Sequence, residues 1–355
     1  MQGKRLGVVL FQLGGPDTLE AIEPFLFNLF CDPDIIDFPL AKIGRKPLAK
    51  LISATRARKV QHHYAAIGGG SPIRKFTEQQ AIALQRCLKR QGVDAVCVVA
   101  MRYWHPFTSE AMELLAGTGC DEIVLLPMYP QYSSTTTGSS LNEWKRQLAL
   151  RGGRLRGLPQ TTVTDFYRDE PYLRALVEKV NEALTRFTSG QRPTADGRLP
   201  TLIFSAHSVP LSVIEGGDPY QRQIEETVER VRELGGWLNP HRLCYQSKVG
   251  ASRWLQPSLR TTLRELTEVG TKQVCVVPVS FVSDHVETLG EIDHEARELA
   301  QRWGIERFEM TAGLNDSPAF IAALAGVVME AAGESALPIP PAAETAVAGE
   351  MVAGD

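Results

Sequence analysis

Short apolar segments alternate along the chain with longer segments in which apolar residues recur every three or four positions. The short segments are nearly continuous in Val, Ile and Leu, which is typical of parallel strands covered by helices on both faces. The pattern predicts eight strands: Gly7–Leu13, Ala95–Met101, Glu122–Leu126, Thr161–Asp165, Thr201–Ala206, His241–Gln246, Gln273–Val277 and Arg307–Met310. The alternation of strands with helices predicts an α/β fold of doubly wound parallel sheets.

The two halves of the chain resemble each other. Residues 111–127 (AMELLAGTGCDEIVLLP) align without a gap with residues 262–278 (TLRELTEVGTKQVCVVP). Arg102, which lies before the first segment, has a counterpart at the same offset in Arg253. Several matches at the same sequence offset favour two related α/β domains. The alternative is two generic strand–helix–strand units that share turn chemistry.

The chain length of 355 residues also suggests two domains, because a single core rarely keeps growing beyond about 250–300 residues. We assign residues 1–128 to a Rossmann-like first domain, which a C-terminal helix at 314–332 completes. Residues 129–313 form a related second domain, with a cleft between the two. Residues 336–355 are rich in Ala, Pro and Glu and lack aromatic side chains, so we expect a disordered tail.

Composition and charge exclude several classes of protein. The formal net charge is −3, with 38 basic and 41 acidic residues, which lacks the basic excess of a dedicated nucleic-acid binder. No apolar run approaches the roughly 18–20 residues that span a bilayer, and the apolar N-terminal run is too short for a signal peptide. The six cysteines form no CxxC pair, and no phosphate-binding glycine motif follows a strand. We therefore expect a cytoplasmic protein without disulfides.

Acidic and imidazole side chains follow two of the predicted strands, where ligands bind in doubly wound folds. His207 follows the strand Thr201–Ala206 and suits a proton acceptor or a metal ligand near neutral pH. Asp284, Glu287, Glu291 and His294 are spaced to share one helical face, where clustered acids attract a divalent cation. The alternatives are a histidine bonded to a neighbouring loop, and a helix cap that uses the first two acids.

Three further segments complete a candidate cleft. Seven of the eight residues of Ser133–Ser140 carry hydroxyl groups, which bind carboxylate or phosphate oxygens or cap a helix. Arg56 and Arg58 either clamp carboxylates or form a solvated helix face. The apolar segment 22–40 forms either a lip over a flat ligand or a buried helix and turn. A large, flat, apolar substrate with an anionic edge, together with a divalent metal, fits all three.

Six motifs in chain order make the sequence similar to the ferrochelatase family, whose members insert ferrous iron into a porphyrin. The resemblance covers about residues 5–332 and implies two Rossmann-like domains around a porphyrin cleft. The motifs are LGGP at 13–16, YxxIGGGSPI at 64–73, MRYxHP at 101–106, PxYPQYS at 127–133, FSAHSVP at 204–210 and SDHxET at 283–288.

The resemblance implies roles for the candidate residues. His207 and Glu287 are implied as the catalytic pair and as metal ligands, and Asp284 and Glu291 as an acidic path for the metal. The residues implied to hold the porphyrin and its propionates are Arg56, Tyr64, Ser71, Arg102 and Tyr132. Which of His207 and Glu287 takes a proton, and which binds iron, stays open.

Two departures from the family pattern bear on these expectations. Gln12 stands where many members have Asn, so the resemblance does not extend a porphyrin contact to that position. No cysteine follows Cys275, so we predict no iron–sulfur cluster and no required cofactor, with Fe²⁺ as a substrate.

The resemblance implies porphyrin and ferrous iron as partners, and nothing in the composition implies nucleic acid. Protoporphyrin and coproporphyrin both remain open as substrates, as do a monomer and a homodimer, and a peripheral contact of segment 22–40 with the inner membrane. The alternatives are a chelatase for another tetrapyrrole or metal, such as cobalt, and a non-catalytic haem- or metal-binding protein.

Overall fold

The computed structural model describes residues 4–34, 41–188, 199–248 and 252–333. Within them, eight strands form two four-stranded sheets in which every pairing is parallel. The first sheet has the order β2-β1-β3-β4 and the second the order β6-β5-β7-β8. The strands are β1 Leu6–Gln12, β2 Ala95–Met101, β3 Glu122–Pro127, β4 Gln160–Thr162, β5 Thr201–His207, β6 His241–Gln246, β7 Gln273–Pro278 and β8 Arg307–Met310.

Helices connect the strands, as the alternating pattern predicts. Two connections include π-helices, Ser134–Gly138 and Val286–Ala296, and a short 3₁₀ turn covers Gly153–Gly157. The α-helices are α1 Ile22–Phe30, α2 Ala41–Ala66, α3 Ile73–Arg90, α4 Thr108–Ala116, α5 Ser139–Arg151, α6 Glu170–Thr188, α7 Leu211–Glu215, α8 Tyr220–Gly235, α9 Leu259–Glu268, α10 Arg297–Arg302 and α11 Pro318–Ala331.

The two halves repeat each other in backbone detail. Their strand orders are the same, and each half places a π-helix after its third strand in sequence. Gly119 and Gly270 occupy equivalent turns with φ of 76° and 80°, a region that favours glycine. Cis peptide bonds precede Pro106 and Pro257 at equivalent positions. The prediction of two related α/β halves is confirmed.

The predicted division after residue 128 does not coincide with the end of the first sheet. Strand β4 pairs with β3, from Ile123 beside Gln160 to Leu125 beside Thr162, so the first sheet continues beyond that division. The chain leaves the sheet after β3, forms the first π-helix and α5, and returns to the same sheet. Helix α11 packs against helix α3 and strand β3 of the first half. It packs to a similar extent against helix α6.

One continuous apolar core joins the two halves. It contains Leu10 and Leu126 from the first sheet, Phe204 and Val277 from the second, and side chains of α3, α6, α8 and α11. Separate clusters cover the other face of each sheet. Each fully buried Leu, Val or Phe contributes about 1.5–3 kcal/mol. The shared core therefore fixes the strand ends of both halves relative to each other.

A fourth apolar cluster holds α1 against α2. Ile22, Phe25, Leu26 and Phe30 of α1 are buried there together with Tyr103. The described part of the predicted lip is thus a buried helix, the second of the two interpretations of its sequence. Residues 35–40 of that segment and the predicted tail at 336–355 lie outside the described residues.

In the part of the chain that the structure describes, no helix combines the length and the apolar character needed to cross a bilayer.

Candidate active site

His207 ends β5, an inner strand of the second sheet. Its backbone N–H donates to Ser280 Oγ at 2.9 Å, and its Nδ1 lies 2.8 Å from Glu287 Oε2. The side chain of His207 is 33% exposed and that of Glu287 is 16% exposed. Because the carboxyl ends of parallel strands meet at one edge of the sheet, Ser247, which follows β6, reaches the same place.

The second π-helix, Val286–Ala296, positions the acidic side chains. Its i→i+5 hydrogen bonding winds the chain more widely than an α-helix, so residues four or five apart share a face. Glu287 and Glu291 follow that spacing, and Oε2 of each lies 2.7 Å from Ser247 Oγ. The single proton of Ser247 can be donated to only one of them. The two carboxylates therefore compete for one donor beside His207.

The charges of these groups are divided unequally. Burial alone would raise the pKa of Glu287, but His207, His285 and the Ser247 hydroxyl lower it to about 2. Burial and the charge of Glu287 raise the pKa of Glu291 to about 7. Burial lowers the pKa of His207, yet Glu287 and Glu291 together raise it above its ordinary value. Near neutral pH the site therefore holds an ionised Glu287, which favours the charged form of His207, next to the carboxyl group of Glu291, which can take or give a proton.

His285 supports this pair, although the sequence pattern did not single it out. It is buried, its Nδ1 lies 3.0 Å from Ser283 O, and its Nε2 lies 4.0 Å from Glu287 Oε1. Burial lowers its pKa, which favours the neutral ring. The Phe281 ring packs edge-on against both His207 and His285.

Asp284 is engaged by the protein itself. It is buried and accepts hydrogen bonds from Gly313 N at 3.1 Å, Asn315 Nδ2 at 2.8 Å and Thr288 Oγ1 at 3.2 Å. These bonds tie the start of the π-helix to the segment after β8. The structure therefore makes Asp284 an anchor of the π-helix, and not the free carboxylate that the predicted metal path requires.

His294 is also separated from the predicted acidic stripe. Its side chain is 48% exposed, and its Nδ1 lies 3.6 Å from Glu298 Oε1. The predicted spacing assumed an α-helix, in which residues three or four apart share a face. The wider winding of the π-helix turns His294 away and keeps Glu287 and Glu291 together.

Helix α2 brings Tyr64 beside the acidic face. Tyr64 is buried, and burial together with the charges of Glu287 and Glu291 raises its pKa. Arg56 lies two turns earlier on α2 and is half-buried. No ion pair of Arg56 occurs among the residues that the structure describes. The contact of both residues with a porphyrin stays a prediction.

Ser71 holds two motifs together. Its backbone N–H donates to Pro16 O at 2.7 Å, and its Oγ accepts from Ile73 N at 3.4 Å. A side chain on Gly15 would come within 2.8 Å of Ser71 Oγ, and one on Gly70 would overlap the Asp17 carbonyl. The glycines of both motifs thus let two loops touch, and Ser71 has a structural partner where the resemblance implied a porphyrin contact.

Arg102 belongs to a buried network around Asp32. Arg102 Nη2 lies 2.8 Å from Asp32 Oδ1, while Tyr103 OH and Ser139 Oγ donate to Asp32 Oδ2 at 2.5 and 2.6 Å. Burial would raise the pKa of Asp32, but these donors lower it. The resemblance implied that the Arg102 guanidinium holds a propionate. In the structure, its positive charge is balanced by the buried carboxylate of Asp32.

Hydroxyl groups of segment Ser133–Ser140 also donate hydrogen bonds to a carboxylate of the chain itself. Asp218 Oδ2 accepts from Ser133 Oγ at 3.1 Å, and from Ser134 N at 2.7 Å and Ser134 Oγ at 2.8 Å. Tyr132 lies beside them, with its backbone N–H donating to Gln223 Oε1 at 2.6 Å. Tyr132 and Asp218 line a cavity of about 420 Å³. At the start of the first π-helix, Ser134–Gly138, the carboxylate of Asp218 therefore takes the place of the expected anion.

Known proteins share both the fold and the sequence. A sirohydrochlorin chelatase, SirB from Bacillus subtilis subspecies spizizenii in complex with cobalt, superposes with a TM-score of 0.52 at 11% identity over 93% of this chain and 97% of that chain. A second SirB structure from Bacillus subtilis, with Fe³⁺, gives 0.50 at 12% identity over 93% and 96%. At such low identity the likeness concerns the fold alone, which is the two-sheet α/β fold of chelatases.

Sequence comparison identifies the family. The ferrochelatase family model matches residues 5–332, and the chain belongs to the ferrochelatase family. It is 46% identical to a ferrochelatase of Cyanothece sp., over 92% of this chain and 82% of that protein. It is 45% identical to a ferrochelatase of Gloeobacter violaceus, over 92% and 98%. The chain is an enzyme of the porphyrin metal chelatase class, as its motifs indicated.

Proposed function

We propose that this chain inserts Fe²⁺ into a porphyrin at the edge of the second sheet, with His207 and Glu287 at the reacting centre. The observation that carries the proposal is the 2.8 Å contact between His207 Nδ1 and Glu287 Oε2, which is backed by Ser247 and Glu291. Membership of the ferrochelatase family supplies the reaction. The roles of the individual residues are our inference from their geometry.

The charge balance of the reaction shows what the site must do. A free-base porphyrin releases two pyrrole protons when a divalent metal takes their place, so the site needs groups that accept protons close to the ring. Glu287 is ionised, with a pKa of about 2, and Glu291, with a pKa of about 7, exchanges its proton at physiological pH. Because general bases work best with a pKa near the operating pH, Glu291 is well suited to pass protons outward.

The same groups bind the metal substrate. A neutral imidazole and a carboxylate are ligands that suit Fe²⁺, and they bind it only after the imidazole has lost its proton. His207 loses that proton most easily when an incoming cation offsets the charge of Glu287. Metal arrival and deprotonation of His207 are therefore coupled in this proposal. Tyr64 and Arg56, on the facing helix α2, would contact the porphyrin and its propionates.

The finer features stay predictions. We propose that no resident cofactor takes part and that Fe²⁺ is a substrate. We also propose a cytoplasmic protein that is a monomer or a homodimer and whose substrate is protoporphyrin or coproporphyrin. A peripheral membrane contact would have to use parts of segment 22–40 other than the face of α1 that is buried against α2.

A turnover assay under anaerobic conditions tests the proposal. The full chain with Fe²⁺ and either porphyrin should convert free base to iron porphyrin over many turnovers, with release of two protons per ring. A non-catalytic haem-binding protein would bind the finished iron porphyrin but would not consume free base. Absence of conversion with both porphyrins, from protein of native secondary structure, would overturn the proposal.

A further inference from the structure

The first residue of α8, Tyr220, lies directly behind the end of strand β5. Its hydroxyl group donates a hydrogen bond to the backbone carbonyl of His207 at 2.9 Å. The backbone N–H of His207 donates to Ser280 Oγ at the same distance. Tyr220 is 5% exposed and belongs to the apolar core that joins the two halves, whereas the side chain of His207 is 33% exposed. The phenol therefore holds His207 from its buried side.

The turn before α8 ties the same helix to the first half of the chain. Asp218 Oδ1 accepts from Tyr220 N at 3.1 Å, and Asp218 Oδ2 accepts from Ser134 N at 2.7 Å. One turn later, Gln223 Oε1 accepts from Tyr132 N at 2.6 Å. The start of α8 is therefore fixed by the loop that leads into the first π-helix.

We infer that Tyr220 is a positioning residue for His207, and that Asp218 couples its position to the first π-helix. The contacts run in series from Ser134 to Asp218 and on to Tyr220. They continue from Tyr220 to His207, and from His207 to Glu287 on the second π-helix. The series thus links the two π-helices through the proposed reacting centre. The inference rests on the proposed function for the role of His207.

Helix capping alone does not explain these two residues. The similar turn in the first half, GGGSP at 68–72, also precedes a helix, and there Ser71 Oγ accepts from Ile73 N at 3.4 Å. That contact is the counterpart of the bond from Tyr220 N to Asp218. The second turn adds a carboxylate oxygen that reaches the other half and a phenol that reaches the end of β5. Neither addition is needed to begin a helix.

The chemistry of Tyr220 suits a permanent hydrogen-bond donor. Burial raises the pKa of its hydroxyl group, so the phenol keeps its proton at physiological pH. A buried phenol needs a partner, and the carbonyl of His207 supplies it. Because this bond restrains the backbone that carries the imidazole, its loss should let Nδ1 move relative to Glu287 Oε2, which lies 2.8 Å away.

Turnover of the full chain with a Tyr220→Phe substitution tests the inference. Phenylalanine keeps the ring in the core and removes only the hydroxyl group. The kcat for iron insertion should fall about five- to a hundredfold, because a misplacement of about 1 Å can cost a hundredfold, while the Kd for porphyrin stays unchanged. Equal losses in kcat and in porphyrin affinity, or an unchanged kcat, would overturn the inference.

Tyr245→Phe is the matched control. Tyr245 lies on the neighbouring strand β6, is buried in the same core, and its hydroxyl group has no hydrogen-bond partner within the described residues. The control loses the same atom without losing a contact, so it should keep the kcat of the unsubstituted protein.

A double-mutant cycle with Asp218→Asn tests the coupling to the first π-helix. If Asp218 and Tyr220 both act through His207, the combined loss in kcat should be smaller than the product of the two single losses. Losses that multiply would show that Asp218 acts independently of Tyr220 and would remove the coupling from the account.

A second readout requires no turnover. In metal-free protein labelled with ¹⁵N-histidine, the Nδ1–H resonance of His207 is identified by its absence from His207→Ala. It should shift in Tyr220→Phe and in Asp218→Asn, and stay in place in Tyr245→Phe. An inactive unsubstituted protein would defeat the proposed function but leave this measurement intact. An unchanged His207 resonance in Tyr220→Phe would overturn the inference.

Discussion

His207 Nδ1 and Glu287 Oε2 lie 2.8 Å apart, although the two residues are far from each other in sequence and belong to different elements. The contact exists because β5 and β7 are neighbours in a parallel sheet, so the loops after both strands meet at one edge. The ionised carboxylate of Glu287 favours the charged form of the His207 ring and raises its pKa above the ordinary value. In the proposed function, this relationship couples the arrival of the metal ion to the loss of the His207 proton.

Replacing Glu287 with Gln should lower turnover by roughly 10²–10⁴-fold, the usual contribution of a general acid–base group. The amide keeps the shape but loses the charge that orders His207. Glu287 is not a helix cap, because His285 is the cap residue of the π-helix and Thr288 bonds back to it. Steady-state kinetics and porphyrin titration of the same protein measure the effect. Turnover within a factor of two of the unsubstituted protein would remove Glu287 from the reacting centre.

Replacing Glu291 with Gln should change the pH dependence of stability. Because the folded-state pKa of Glu291 is raised to about 7, the stability due to its proton is present below the ordinary pKa and is lost as pH rises through about 7. A glutamine cannot lose that proton. The melting temperature of the variant relative to the unsubstituted protein should therefore rise from about pH 5 to about pH 8, by roughly 1–2 °C per kcal/mol for a chain of this length.

Thermal melts of the metal-free proteins across that pH range check this expectation. Glu298→Gln is a suitable control, because that glutamate is exposed and lies beyond the π-helix. A difference in melting temperature that is constant with pH would contradict the raised pKa of Glu291.

Replacing Asp284 with Ala should mainly destabilise the fold. Its removal leaves Gly313 N–H and Asn315 Nδ2 without their acceptor, at a cost of about 1–3 kcal/mol for each group left unsatisfied. Chemical denaturation measures this loss. If Asp284 instead carried metal, the variant would keep its stability and show a higher Michaelis constant for Fe²⁺.

Replacing Gly70 with Ala should disturb the contact between the loops that contain Ser71 and Asp17. The new methyl group would overlap the Asp17 carbonyl, which is backbone and cannot rotate away. We expect a loss of about 1–3 kcal/mol, as for overpacked sites generally. Gly157→Ala is the matched control, because nothing lies within 4 Å of a side chain there. Equal unfolding free energies for the two variants would show that the loops separate easily.

The strands and their order of appearance were predictable because they are apolar on both faces. The predicted strand Thr161–Asp165 begins one residue after the start of β4, Gln160–Thr162. The three residues of β4 are mostly exposed and give little apolar signal. The acidic stripe was only partly right, because the spacing of charges does not reveal a π-helix. Glu287 and Glu291 share a face, whereas Asp284 turns to Asn315 and His294 to solvent.

Partners that are distant in sequence were the hardest to foresee. Asp32 neutralises Arg102, and Asp218 occupies the hydroxyl groups of Ser133 and Ser134. The sequence around Asp32 and Asp218 does not distinguish either residue from surface acids. The position of Ser247 is predictable, since it follows the predicted strand His241–Gln246 and ligands bind at the carboxyl ends of strands in this fold. A single Ser at such a place carries no signal until the facing carboxylates are known.

The central claim is that His207 takes part in metal insertion, and one measurement tests it most directly. Iron porphyrin formation is followed by absorbance with His207→Ala, beside His241→Ala as a histidine control on the neighbouring strand β6. The His207 variant should keep its circular dichroism spectrum and its porphyrin affinity but lose at least about 99% of turnover, a hundredfold effect of the size expected for a general acid–base group. The His241 variant should retain full turnover. A folded His207→Ala protein that turns over at the rate of the control would contradict the claim.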